Sequence, residues 1–255
     1  MKETLTIEEQ LLRTTVLINI KNKASLTSGT GFLFYYYENI FLITNRHVVE
    51  KSKEIELKFY GQDNFRIIEN NFITSLQYDI AICVLNDIPS SAKTLTKNQI
   101  PNRKQVEKFD AIEDILFIGY PKGIYDTYNN SPIARKGITA TPIALNYEGK
   151  YQFLIDASIF PGSSGSPVFL ILKNIHQTKD LRATSRESTQ VFLLGIIAEG
   201  YSYGNSIKIN SSPPPAPIIV PKQMINLGLV IKSSELIKLI NDSRNPYSVS
   251  TRKQI

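Results

Sequence analysis

The chain has 255 residues, 42% of them hydrophobic and 20% charged, which fits one large domain or two lobes around a substantial core and excludes global disorder. One cysteine, Cys83, excludes an internal disulfide and a cysteine-rich zinc site, and two histidines, His47 and His176, leave too few ligands for a multi-histidine cluster, so no metal or cofactor is expected. The net charge of +6 comes from 29 basic and 23 acidic residues dispersed along the chain, and it reads as a solvated surface with no nucleic-acid partner.

The opening Met-Lys-Glu-Thr-Leu-Thr-Ile-Glu-Glu-Gln puts carboxylates where a secretory leader needs an apolar run. Apolar stretches such as Val191–Ala198 are strand-sized, so no membrane partner is expected. A cytoplasmic location follows as the expectation, since a free thiol is ordinary there. Thr6 and Glu9 have capping-box spacing and predict a short N-terminal helix. Short β-branched and aromatic runs then follow at Thr15–Ile20, Gly31–Tyr37, Ile40–Thr44, Ile55–Tyr60, Ile80–Leu85, Ile115–Ile118, Phe153–Ile155, Val168–Leu172 and Phe192–Ala198. Many short strands with few helical windows predict an all-β barrel or sandwich. A single late helix is expected at Ser233–Ile240, capped by Ser233 or Ser234. Loops are expected at Pro121–Pro132, Lys173–Gln190 and the proline-bearing Tyr201–Pro221, with a solvated tail at the end.

Three segments carry chemistry. His47 follows the apolar run Phe41-Leu42-Ile43-Thr44, where an imidazole can be held rigidly beside a cleft. Asp79 opens the apolar run Ile80–Leu85, so its carboxylate is drawn inward and needs a partner there. Ser164 lies in Phe160-Pro161-Gly162-Ser163-Ser164-Gly165-Ser166-Pro167, where small residues permit a tight turn that exposes the hydroxyl and gathers amide N–H groups at one point. Each segment alone has a plain structural reading as a surface histidine, a turn cap or a flexible loop. The order His, Asp, Ser is what gives them joint meaning.

These segments resemble those of the trypsin-like serine peptidases, and Thr44-Asn45-Arg46-His47-Val48-Val49 with Asp79-Ile80-Ala81 resemble the bacterial, HtrA-like branch. Ile118-Gly119-Tyr120-Pro121, Gly195-Ile196-Ile197-Ala198-Glu199-Gly200 and Asn226-Leu227-Gly228-Leu229-Val230-Ile231 extend the likeness from Thr15 to Ile240. The resemblance implies two six-stranded antiparallel barrels, about 12–100 and 108–232, then a helix at 233–241 and a tail at 242–255, with the peptidase domain spanning 10–241. It further implies Ser164 as nucleophile, His47 as general base, Asp79 as the carboxylate orienting it, and the N–H groups of Gly162 and Ser164 as an oxyanion hole. The implied activity is endopeptidase cleavage of a protein or peptide substrate, restricted or controlled by a regulatory protein partner.

The resemblance also places Ser158 at the base of the S1 pocket and Ala198, Glu199 and Gly200 along the substrate backbone, which implies an uncharged and apolar P1 residue. Ser163 stands where digestive relatives carry an aspartate, so activation by a buried ion pair to a freed N-terminus is not expected. Too few residues follow Ile240 for an appended PDZ module. An α/β-hydrolase reading fails because Ser166 replaces the last glycine of the elbow and His176 lies in a polar stretch. Cys83 is expected to be a small core residue rather than a catalytic thiol. The remaining alternative is a catalytically silent trypsin-like module that binds peptides or partner proteins.

Overall fold

A computed structural model describes residues 5–22, 25–176, 186–203, 223–244 and 251–253. Helix α1 (Ile7–Leu12) begins at Thr6, whose hydroxyl accepts the Glu9 N–H while the Glu9 carboxylate accepts the Thr6 N–H, the reciprocal bonds that the Thr-x-x-Glu spacing predicts. Strands β1 (Thr15–Asn22), β2 (Ser25–Tyr36) and β3 (Asn39–Thr44) follow, and α2 (Arg46–Val49) is a single turn. The first lobe continues with β4 (Glu54–Phe59), β5 (Arg66–Glu69), β6 (Ile73–Ser75), β7 (Ala81–Leu85) and β8 (Leu95–Thr96). Helix α3 (Arg103–Val106) then leads to β9 (Asp114–Gly119), β10 (Ile133–Thr139), β11 (Gln152–Asp156), β12 (Pro167–His176), β13 (Arg186–Tyr203), β14 (Gln223–Lys232), α4 (Ser233–Ser243) and β15 (Thr251–Lys253).

Strands β9 to β14 close a barrel in the order β10-β11-β14-β13-β12-β9, with antiparallel neighbours throughout. The first lobe is a curved sheet in the order β15-β6-β7-β3-β2-β1-β4-β5, with β8 added in parallel to β2. The fold is the chymotrypsin-like double barrel, with one difference from the expectation of two six-stranded barrels: the first lobe has nine strands and an open hydrogen-bonded path. One of the extra strands comes from the expected tail, where Thr251–Lys253 pair with Ile73–Ser75 and cover an edge that would otherwise be unpaired.

Each lobe has its own core. Val16, Ile18, Leu33, Leu42, Leu57 and Phe72 fill the first, and Phe117, Phe153, Ile155, Val168 and Val230 fill the barrel. A third core joins them, with Phe32, Phe34 and Ile43 from the first lobe against Phe169, Leu193 and Ile231 from the barrel. Leu11 from α1 and Leu236, Leu239 and Ile240 from α4 close this shared core, so both helices are positioned by apolar burial across the lobe boundary.

Other expectations are corrected. The N-cap of α4 is Lys232, whose side chain makes no cap bond, because β14 runs straight into the helix and leaves no turn for a serine cap. The polar Lys173–Gln190 stretch is not all loop: β12 and β13 extend to pair His176 with Arg186, since backbone pairing in a long hairpin does not require apolar side chains. His176 therefore lies on a strand, and Tyr201–Tyr203 likewise continue β13, while Pro213-Pro214-Pro215 lie outside the described residues.

Candidate active site

His47 and Asp79 come from adjacent parts of the first lobe. The chain leaves β3 at Thr44 and turns at Asn45 into α2, so His47 sits in a one-turn helix rather than on the strand itself. Asp79 lies in the bend just before β7. Since β3 and β7 pair with Thr44 opposite Ala81, the two segments emerge side by side. Asp79 accepts twice from His47: its Oδ2 lies 2.5 Å from Nδ1 and its Oδ1 accepts the backbone N–H at 3.0 Å. Asn45 Nδ2 donates to the Asp79 carbonyl at 2.7 Å and ties the two turns together.

The Nδ1 contact fixes the tautomer, with Nδ1–H donating to the carboxylate and Nε2 free to accept a proton from the cleft. The hydrogen bond to Asp79 raises the imidazole pKa above its ordinary value, against the opposing effect of partial burial. For Asp79, burial pushes the pKa up, but the hydrogen bond and charge of His47 outweigh it and hold the carboxyl below its usual range.

Ser164 belongs to the turn between β11 and β12. Gly162 and Gly165 bracket it at φ +90° and +89°, a region open to glycine and costly for other residues. Space makes the requirement absolute. A Cβ on Gly162 would lie 2.5 Å from the Tyr120 carbonyl oxygen, and one on Gly165 would lie 1.8 Å from that of Thr30. Within the turn, Ser163 N–H donates to Phe160 O, Gly165 N–H to Ile197 O and Ser166 N–H to Ser163 O. The N–H groups of Gly162 and Ser164 donate to no backbone acceptor among the described residues. The carbonyl of Pro161 accepts from Lys122 N–H at 2.5 Å, which orients the peptide carrying the Gly162 N–H. Ser163 is 1% exposed and its hydroxyl accepts the Phe160 N–H, so the residue before Ser164 is buried and neutral.

His47, Asp79 and Ser164 line one cleft of about 870 Å³ between the lobes. No direct hydrogen bond joins His47 to Ser164 among the described residues. Ala198, Glu199 and Gly200 line the same cleft. Ser158 is half-buried, and its neighbour Ile159 lines the cleft wall with Leu229 and Ile231. Cys83 is buried on β7, and burial raises its thiol to about 11, which disfavours a thiolate nucleophile.

The residues matched by the family profile for the trypsin-like peptidase domain run from 29 to 173, more than half the chain. The chain belongs to the trypsin-like peptidase family. A curated relative of this family, "Protease Do-like 2, chloroplastic" of Arabidopsis thaliana, is 27% identical over 130 residues, covering 50% of this chain and 20% of that protein. The chain thus spans only about a fifth of the length of that relative. A serine endoprotease from Yersinia pestis superposes with a TM-score of 0.54 at 19% identity, covering 95% of this chain and 70% of the other. The MamO protease domain from Magnetospirillum magneticum gives 0.55 at 11% identity over 91% of this chain and 98% of the other. At such identities the structural likeness bears on the fold.

Thr30 is a site residue that sequence reasoning passed over. Its hydroxyl donates to Gly162 O at 2.8 Å and accepts Tyr120 N–H at 3.0 Å, while its own N–H donates to Ser164 O at 2.9 Å. A buried side chain of the first lobe therefore grips the serine turn of the second. The signal was the Gly29-Thr30-Gly31 run, where small residues on both sides admit another backbone. Tyr78 is the second such residue: it lines the cleft beside Asp79, and its hydroxyl accepts Tyr151 N–H at 3.0 Å.

Proposed function

We propose that the chain is a serine endopeptidase acting through Ser164, His47 and Asp79, on a restricted or partner-controlled protein substrate. The observation that carries this reading is the convergence on one cleft of a carboxylate-bound imidazole with a serine turn that leaves two N–H groups unspent. Ser164 Oγ attacks the scissile carbonyl carbon as its proton passes to His47 Nε2, an encounter that the bound substrate tightens. The tetrahedral oxyanion receives the Gly162 and Ser164 N–H groups, each such donor being worth ~3 kcal/mol in the transition state. His47 returns the proton to the leaving amine, the C–N bond breaks, and an acyl ester on Ser164 remains. Water, deprotonated by His47, attacks that ester and releases the carboxylic acid and the serine hydroxyl. Ile159, Leu229 and Ile231 make the wall apolar, which favours an apolar P1 side chain.

Labelling with a fluorophosphonate and mapping of newly formed N-termini test the proposal with wild type beside Ser164→Ala. Wild type should label and generate cleavage sites with a common apolar P1 residue, and Ser164→Ala should do neither. Equal cleavage by both proteins would remove Ser164 from the mechanism. A wild-type protein that never labels yet binds peptide in the cleft would make the chain a silent binding module.

A further inference from the structure

The cleft carries charges that the proposed hydrolysis does not use. Phe160 lines it beside Ser164, and two cations lie against the Phe160 ring: Lys122 Nζ, itself on the cleft wall, at 5.5 Å from the centroid, and Arg135 Cζ, which is not among the lining residues, at 5.1 Å. Neither forms an ion pair among the described residues, whose carboxylates pair instead with Lys21, Arg46, His47, Arg66, Arg103 and Lys173. Lys150 adds a further positive charge on the cleft wall. Two cations beside one ring, with Lys150 on the same wall, concentrate positive potential on this part of the cleft and attract an anion.

Lys122 also has an unusual backbone. Its φ of 52° is a conformation that glycine adopts more readily, and its N–H is committed to Pro161 O. The side chain therefore leaves a fixed point next to the serine turn, on an exposed residue that lines the cleft. Glu199 lies in the same cleft and raises the imidazole pKa of His47, so it is close to the reacting centre. A polyanion filling the cleft would meet that carboxylate, which favours a single acidic side chain as the occupant.

We infer that Lys122, reinforced by the charge of Arg135 on the same Phe160 ring, forms a subsite for one acidic side chain of the substrate close to the scissile bond. The inference rests on the peptidase reading for the substrate being a peptide, and its test reads binding independently of turnover. Fluorescent peptides with an apolar residue at the scissile position, and Asp, Asn, Glu, Gln or Lys at each flanking position, are titrated into Ser164→Ala protein. The best acidic peptide should bind roughly 5- to 10-fold more tightly than its amide counterpart, with the ratio falling as salt is raised. Lys122→Glu should bring that ratio to one or reverse it, and Arg135→Gln should lower it, whatever either change does to overall affinity. No acidic preference at any position, or a preference that survives both substitutions, overturns the subsite. Cleavage retained by Ser164→Ala would instead overturn the proposed nucleophile and leave the subsite standing.

Discussion

The imidazole of His47 is half exposed, and its chemistry is set by one carboxylate. Asp79 raises its pKa, so the neutral form that can act as a base is reached only at a pH above the ordinary imidazole value of 6.5. The kcat/KM of wild type should therefore rise with pH through a midpoint above 6.5, measured on an uncharged peptide. Asp79→Asn removes the cause: the midpoint should fall, and kcat should drop by about 10⁴-fold because the wrong tautomer is favoured, as in the family's archetype. A midpoint unchanged by that substitution would sever the two residues functionally. That His47, Asp79 and Ser164 share one cleft was legible in the sequence, because each stands in a short motif whose neighbours fix its local backbone. The wall residues Ile159, Leu229 and Ile231 were not legible, because spacing alone does not say which side chains of neighbouring strands and loops turn to the cleft.

At the scale of elements, the serine turn is held by its contacts with other strands. Gly165 packs against the Thr30 carbonyl so closely that Gly165→Ala combines a forbidden φ with a backbone clash, and the chain should lose more than about 3 kcal/mol in a urea melt. Thr30→Val keeps the volume and removes the hydroxyl, which leaves Gly162 O and Tyr120 N–H without that partner at a cost of ~1–3 kcal/mol. Labelling of Ser164 should slow in the same variant, because the turn that aims the Gly162 N–H loses a bond. A Thr30→Val protein that labels at the wild-type rate would show that the turn holds itself. The strands were readable from β-branched runs and the N-terminal helix from its capping box. The extension of β12 and β13 was not, because a polar hairpin is stabilised by backbone pairing that leaves no apolar trace.

For the whole molecule, the question is what keeps two lobes in register when the cleft lies between them. The shared core supplies apolar contact across the boundary, and polar ties add to it. Lys58 of the first lobe is 8% exposed, and its ammonium lies 5.0 Å from the Phe65 ring centroid and 5.1 Å from that of Tyr125, in the segment that also carries Lys122. Asp63 accepts from Asn130 Nδ2 in the same place, and Gly61 N–H donates to Asn130 O. Lys58→Met preserves the stem and deletes the charge. It should cost roughly 1–2 kcal/mol and lower kcat more than it changes KM, since the segment it anchors orients Pro161. An unaltered kcat would mean that the shared core alone sets the register. None of these ties could be seen in the sequence, because a buried lysine between two rings looks like any other surface lysine.

The pairing of Thr251–Lys253 with Ile73–Ser75 has a kinetic consequence. The sheet that carries His47 and Asp79 is completed by residues that a ribosome adds only after the whole second barrel has been made. During synthesis the edge at β6 waits, and contacts of such long sequence separation form slowly. Assembly of the first lobe is thus tied to completion of the second, so a nascent chain stopped before residue 251 would carry His47, Asp79 and Ser164 on a sheet with an unpaired edge.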